Sequence, residues 1–248
     1  MVHSITRAPV HDARLPRYHQ LRELLNHEIV RGQWLPGQAI PTESELAKKH
    51  AMSIGTIRKA IDALVTDGIL ERFQGKGTFV RRPKFDSSLF RFFRFQSQTD
   101  GTRIPESKIL KRAVVNAPAA VATALKLPPD APVIHLSRLR LLDAKPFLVE
   151  SIWMSKGRFA QLLELEPAQF GDLLYPLYEQ ICGQVVASAQ ETLTAEAAGR
   201  PTARLLEIEV GSPVIVVERL ALSYDRQPLE WRQSRGAADH FRYQVEIR

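Results

Sequence analysis

Between Pro41 and Val80 the chain sets out two helix starts, a helix stop and a tightly spaced pair of β-prone runs, an order that few small folds accommodate. Pro41-Thr42-Glu43-Ser44-Glu45 opens a helix: the Thr42 hydroxyl can accept from free backbone N–H groups, and Glu45, three residues on, completes a capping box. That helix is short, about Glu43 to His50, with Leu46 and Ala47 turned inward. Ser53 then caps a longer helix through Asp67, with Ile57, Ile61, Leu64 and Val65 as its apolar stripe and Gly68 as its stop. Gly55, Thr56 and Lys59 fall away from the stripe, and Arg58 lies at its border. Upstream, Tyr18, Leu21, Leu24, Leu25, Ile29 and Val30 recur at helical spacing until Gly32. Downstream, Ile69–Phe73 and Thr78–Val80 flank Gln74-Gly75-Lys76-Gly77, which reads as a hairpin whose glycines admit positive φ.

Three helices followed by a hairpin predict a winged helix-turn-helix. In that arrangement Ser53, Gly55, Thr56, Arg58 and Lys59, at the start of the third helix, meet the major groove of a DNA duplex. Gln74, Gly75 and Lys76 at the wing tip approach the backbone or minor groove. The charge is placed to match. The chain carries +7 overall, yet residues 1–84 hold 14 Lys/Arg against 8 Asp/Glu, whereas residues 113–248 hold 14 against 16. Charge alone fits a solvated basic face equally well, and a winged helix can also serve protein contacts. A phosphate-cradling P-loop is excluded, because no helix starts directly after the Gly-Lys-Gly tip.

The stretch PTESELAKKHAMSIGTIRKAIDALVTDGILERFQGKGTFV resembles the winged helix of the GntR family of bacterial transcription regulators. The family pattern runs Pro-Ser-Glu-x-x-Leu-Ala, then Val-Ser-Arg-x-Thr-Val-Arg-x-Ala, then Gly-x-Gly-Thr-Phe-Val. Thr56 and Arg58 match its recognition-helix positions, and Gln74, Gly75 and Lys76 match its wing. Two positions that are often DNA-contacting arginines in the family are Ser44 and Ile54 here. The resemblance therefore implies a different operator, or a larger share for the remaining contacts.

The second half of the chain repeats a pattern. NAPAAVATALKLPPDAPVIHLSRLRLLDAKPFLVE and AAGRPTARLLEIEVGSPVIVVERLALSYDRQPLE each read as a helix-like stretch, a turn, a strand opened by Pro-Val-Ile, and a returning strand. Two copies predict one pseudo-symmetric α+β domain built from antiparallel hairpins. Alternation places Arg138 and Arg140 on the same face as Ile134, Leu136 and Leu142. Guanidinium groups on an apolar face require anionic partners. An anionic ligand satisfies that requirement, and so does an internal ion pair with Glu150 or Glu230 on the returning strands. Ahead of the repeat, LFRFFRF at Leu89–Phe95 has strand character, and Arg81-Arg82-Pro83-Lys84 reads as a basic linker.

This half resembles the UTRA domain of the HutC subfamily of GntR regulators, an effector-binding module with the fold of chorismate lyase. The likeness covers about residues 89–242 and rests on Arg138-Leu-Arg140, on Pro146 followed by Glu150, and on Pro228 followed by Glu230 with Asp239 near the end. It implies that Arg138 and Arg140 grip an anionic group of the effector while Glu150 and Glu230 bind its polar parts. The expected organisation is a DNA-binding domain over residues 14–81, a linker over 82–88, and an effector-binding and dimerisation domain over 89–248. The partners implied are double-stranded operator DNA, a small anionic metabolite and a second copy of the chain.

Other classes find little support in the residues. Cys182 is the single cysteine, which excludes an internal disulfide and a Cys-based zinc site. Seven histidines are scattered without metal-ligand spacing, and His19 and His27 read as exposed helix residues. No apolar run approaches the ~20 residues needed to span a bilayer, and the first residues lack a secretory signal, so the expectation is a cytoplasmic protein without a membrane partner. No nucleophilic or acid–base constellation stands out. The expectation is a ligand-responsive transcription regulator, a repressor of a metabolic operon, with no cofactor, metal or catalytic residue. The competing expectation is an enzyme of chorismate lyase-like fold acting on a small anionic substrate, and a third is an architectural DNA binder.

Overall fold

The computed structural model describes residues 15–82 and 105–241, and the chain divides between residues 83 and 84 into two compact units. The expected aromatic strand at Leu89–Phe95 lies outside the described residues.

In the first unit, α1 (Arg17–Val30), α2 (Glu43–His50) and α3 (Ile54–Thr66) precede a two-stranded antiparallel sheet, β1 (Leu70–Phe73) and β2 (Gly77–Val80). The local signals in the sequence act as expected. Thr42 Oγ1 accepts from Glu45 N, and the Glu45 carboxylate accepts from Thr42 N at 2.8 Å, closing the capping box of α2. Ser53 Oγ accepts from Thr56 N at 3.2 Å and caps α3. Leu21, Leu25 and Ile29 of α1 pack with Leu46 of α2 and Ile57, Ile61 and Leu64 of α3, all fully buried. Each such side chain stabilises the unit by roughly 1.5–3 kcal/mol relative to an exposed one. Arg22 to Asp67 and Lys49 to Glu28, the latter at 2.9 Å, tie the helices at the surface. His19 and His27 are half-buried rather than exposed, because α1 turns both rings partly toward its neighbours.

The second unit is a six-stranded antiparallel sheet in the order β3-β4-β5-β8-β7-β6. Its first half is β3 (Glu106–Asn116), α4 (Ala119–Ala124), β4 (Pro132–Leu142) and β5 (Lys145–Ser155). Its second half is β6 (Ser188–Ala197), α7 (Arg200–Leu206), β7 (Pro213–Leu222) and β8 (Pro228–Ala237). These are the two sequence copies, each preceded by an outer strand, and they meet where β5 pairs with β8. Pro132 and Pro213 each open the strand that follows the short helix.

The link between the halves holds α5 (Lys156–Phe159), two short 3-10 turns and α6 (Leu174–Cys182). It covers one sheet face, where Phe159, Leu162, Phe170, Leu174 and Tyr178 pack on Ile134, Leu136, Ile152 and Met154. On the other face α4 places Val121 and Ala122 against Val133, and α7 places Ala203 and Leu206 against Leu139, Val149 and Val214. The face under α6 carries the charged residues described next.

Candidate nucleic-acid interface and buried ionic site

The cap and first turn of α3 place the hydroxyl groups of Ser53 and Thr56 near the surface. Ser53 and Gly55 are exposed and Thr56 is half-buried, its hydroxyl 2.9 Å from Ser53 Oγ. Arg58 and Lys59 are exposed one turn further on. Opposite them the wing turns at Gln74-Gly75-Lys76, closed by Lys76 N donating to Phe73 O at 3.0 Å. Gly75 at φ +73° and Gly77 at φ +118° occupy conformations that L side chains rarely adopt, so the tip needs both glycines. Ser44 and Ile54, which stand where the family often has arginines, are both exposed.

Arg58 does not stand alone. Its Nε and Nη2 donate to Glu43 Oε2 at 3.1 and 2.9 Å. Arg72, in the first strand of the wing, donates to Glu43 Oε1 at 3.2 Å and to Asp62 Oδ1 at 2.6 Å. One carboxylate at the N-terminus of α2 thus joins α3 to the wing. The hydrogen bonds that Arg58 donates to Glu43, and the charge of that carboxylate, raise the Arg58 pKa above the ordinary value.

In the second unit, four arginines are buried on the α6 side of the sheet: Arg138 and Arg140 on β4, Arg219 on β7 and Arg232 on β8. Register explains their grouping. Arg138 lies across from Glu150, Glu150 from Ser234, Arg232 from Arg219, and Arg219 from Glu191. Directly opposed residues share a face, so the strands deliver these groups to one layer. Arg138 Nε donates to Glu150 Oε2 at 2.5 Å, and Arg232 Nη1 reaches Glu150 Oε1 at 3.1 Å. Arg232 also forks onto Glu230, Nε to Oε1 at 2.9 Å and Nη2 to Oε2 at 2.8 Å. Tyr178 Oη donates to Glu230 Oε2 at 2.6 Å, and Arg219 Nε donates to Glu191 Oε1 at 2.7 Å.

The sequence expected Arg138, Arg140, Glu150 and Glu230 to share a pocket. The structure brings Arg138 and Glu150 into direct contact, which is the internal ion pair weighed above, and joins Glu230 to them through Arg232. Arg140 turns elsewhere: its Nη1 donates to Ser107 Oγ at 2.9 Å and to the Asp172 carbonyl. Pairing does not exhaust the guanidinium groups. Arg138 Nη1 is buried with no acceptor among the described residues. Two of the carboxylates near the four buried guanidiniums are fully buried, Glu150 and Glu230, while Glu191 beside Arg219 and Asp172 beside Arg140 stand at the margin.

The electrostatics follow from that grouping. Burial opposes the charge on Glu150, but Arg138, Arg232 and Arg140 outweigh it and hold its carboxyl well below the usual range. Burial and the repulsion of Arg138 push Arg140 down to about 10. Burial, then the Glu230 carboxylate, keeps Tyr178 protonated far above the ordinary phenol range, so it remains a donor. Arg232 loses solvation too, yet Glu230 and Glu150 more than restore its charge. The cluster is thus a fixed set of cations in a low-dielectric layer, with one donor idle.

Tyr175 joins the cluster from α6, its Oη 3.4 Å from Glu230 Oε1 and its ring under the Arg232 guanidinium at 5.5 Å. Arg219, Arg232, Tyr175 and Tyr178 were not among the sequence candidates. Arg232 had a signal, since it alternates with Glu230 and Ser234 along β8. The tyrosines had none, because the placement of α6 over the sheet is a tertiary fact. Among the described residues no group of His, Cys, Asp and Glu has the geometry to hold a metal ion.

A winged helix on one unit and a buried cationic layer in an antiparallel sheet on the other define a DNA-binding transcription regulator with a ligand-binding domain, and family comparison agrees. Residues 17–80 match the model of the bacterial regulatory proteins of the gntR family, and residues 101–242 match the UTRA domain. A protein of Escherichia coli (strain K12) named "Probable fructoselysine utilization operon transcriptional repressor" is 34% identical over 216 residues, 86% of each chain. The mannosyl-D-glycerate transport/metabolism system repressor MngR of the same organism is 26% identical over 233 residues, covering 92% of this chain and 94% of the relative. The crystal structure of PhnF from Mycobacterium smegmatis has the same fold, with a TM-score of 0.53 at 22% identity over 92% of this chain and 98% of that one. The chain belongs to the GntR family and carries a UTRA domain. It is a regulator rather than an enzyme of lyase-like fold. No helix among the described residues is long and apolar enough to cross a membrane.

Proposed function

We propose that the chain is a HutC-type repressor of a metabolic operon whose grip on its operator changes when a small anionic metabolite enters the buried arginine layer. The DNA-binding domain spans residues 14–81, the linker 82–88, and the effector-binding and dimerising domain 89–248. A homodimer presents two α3 helices to the half-sites of a palindromic operator. Ser53, Gly55, Thr56, Arg58 and Lys59 face the major groove, while Gln74, Gly75 and Lys76 reach the backbone or minor groove.

The observation that carries the effector half of this reading is the idle Nη1 of Arg138. An unpaired buried donor on a charged group costs about 1–3 kcal/mol or more. A carboxylate or phosphate offsets that cost, and so binds selectively to the folded domain. Glu150 and Glu230 then act in two ways: they hold the arginines in place, and they accept from ligand hydroxyls that displace their longer donors, Ser234 Oγ at 3.2 Å from Glu150 Oε1 and Tyr175 Oη at 3.4 Å from Glu230 Oε1. Fructoselysine and mannosyl-D-glycerate, for which the relatives are named, both combine a carboxylate with several hydroxyls.

Binding of effector and operator is coupled, on the order of 1–3 kcal/mol, and thermodynamics makes the coupling reciprocal. The test pairs a thermal-shift screen of sugar acids and sugar phosphates with operator binding. The duplex is selected from a random pool by the protein itself. A metabolite that raises Tm and changes operator affinity supports the reading, while neutral parent sugars do neither. A protein that selects no preferred duplex sequence refutes the operator half.

A further inference from the structure

We propose that Glu43 is a specificity-determining residue of operator recognition, acting by holding Arg58 in the posture in which it reads a base. The proposal rests on the reading of α3 as the helix that enters the major groove. Glu43 is the first residue of α2, half-buried, and its carboxylate is shared by two arginines from different elements. Arg58 presents its Nε–Nη2 edge to that carboxylate, at 3.1 and 2.9 Å. Among the described residues its Nη1 has no acceptor. A guanidinium is a rigid plane, so fixing one edge aims the opposite one. The free edge carries Nη1 and a spare donor on Nη2, on a side chain that is 59% exposed.

An acidic residue at a DNA-facing surface carries a cost, since it repels phosphate. Here the repulsion is locally cancelled. Arg58 and Arg72 flank Glu43, and Arg72 in turn binds Asp62 at 2.6 Å, so the four side chains sum to zero charge. The cluster therefore adds little to non-specific attraction. What it supplies is order: a long side chain that is already fixed loses less rotamer freedom when it docks. The arrangement matters more in this chain than in relatives with further arginines, because Ser44 and Ile54 leave Arg58 as the sole arginine near the start of α3. Arg72 extends the device, since it lies within β1 and so ties the wing to the same carboxylate.

The experiment compares wild type, Glu43→Gln, Glu43→Asp, Arg58→Ala and the double variant Glu43→Gln/Arg58→Ala. Fluorescence anisotropy reads binding to the selected operator, to operators with single base-pair changes, and to a random duplex of equal length. Circular dichroism melts confirm that each variant is folded. Glu43→Gln is expected to weaken operator binding about 10-fold, within the range of a bidentate arginine–base contact. Binding to random duplex is expected to hold or to tighten, because a negative charge is gone. Base preference should relax at the same position that Arg58→Ala relaxes, and the double variant should be no worse than Arg58→Ala alone. Glu43→Asp keeps the charge and loses the reach, so it should lose specificity without any gain on random duplex.

Glu43→Gln tightening operator and random duplex equally would show that Glu43 merely competes for Arg58, and would overturn the proposal. So would an unchanged preference at every base pair, given a loss on Arg58→Ala. Arg58→Ala binding the operator as wild type does would instead refute the recognition-helix reading on which the proposal stands.

Discussion

Arg138 and Glu150 face each other across the β4–β5 ladder, and the carboxylate takes the arginine's Nε at 2.5 Å while Nη1 stays without an acceptor. Glu150 cannot satisfy that second donor, because its other oxygen is engaged by Arg232 Nη1 and Ser234 Oγ. The pair is therefore both a structural bond and an unfinished one. It anchors the cation and leaves its outer arm for something else.

The structural share of this pair predicts the cost of breaking it. Glu150→Gln leaves Arg138 and Arg232 buried without their common carboxylate, and should lower unfolding free energy by about 3–5 kcal/mol in denaturant titrations at neutral pH. The pH dependence has a definite sign. The folded pKa of Glu150 is depressed, so its contribution is complete above the unfolded value of about 4.5 and is lost as pH falls below it, toward the lower folded value. Wild type should lose this increment on acidification below pH 4.5, and Glu150→Gln should lack it. Equal acid slopes would show that the pair does not stabilise the fold.

Tyr178 donates to a fully buried carboxylate from a helix that meets the sheet through apolar contacts. Tyr178→Phe keeps the ring and removes the donor. It should cost roughly 1.5–3 kcal/mol, the range for hydrogen bonds to charged groups. A loss below ~0.5 kcal/mol in the same titration would mean that Glu230 is satisfied without it.

The α3 cap links stability to recognition. Ser53→Ala removes the acceptor for Thr56 N and should cost about 0.5–2 kcal/mol in the first unit. Ser53→Asp retains a cap and should keep most of that stability. It also adds a negative charge at the helix end, so it should bind DNA worse than Ser53→Ala. Anisotropy beside thermal melts separates the two effects.

Lys76 at the wing tip should act as a phosphate contact and nothing more. Lys76→Ala is expected to weaken operator and random duplex alike and to reduce the salt slope of log K by about 0.9 per wing in contact. A change in base preference would move Lys76 from backbone contact to readout.

How much of this could be read from the chain depends on the distance over which each signal acts. Thr42 with Glu45, Ser53 with Thr56, and Gly75 with Gly77 are local devices, and they placed the helices and the wing within a residue or so. The four effector candidates came from alternation, which reports the face a strand residue occupies but not its partner. Arg140 shows the limit: it shares the face of Arg138 yet bonds Ser107 and Asp172, from β3 and the loop before α6. Arg232 reaches Glu150 only because β5 pairs with β8 at one register, a contact between the two sequence copies. Tyr175 and Tyr178 depend on where α6 lands. The Glu43 clamp joins three elements, and each of its residues looks like an ordinary surface charge when read alone.

The most direct measurement is operator affinity against metabolite concentration for wild type and Arg138→Gln, using sugar acids and sugar phosphates with their neutral parents as controls. Gln keeps a donor for Glu150 and removes the guanidinium. At least one anionic metabolite should shift wild-type operator affinity, by about 5- to 150-fold, while Arg138→Gln binds the operator normally and no longer responds. A variant whose operator affinity still shifts by the same factor would place the effector somewhere other than the arginine layer.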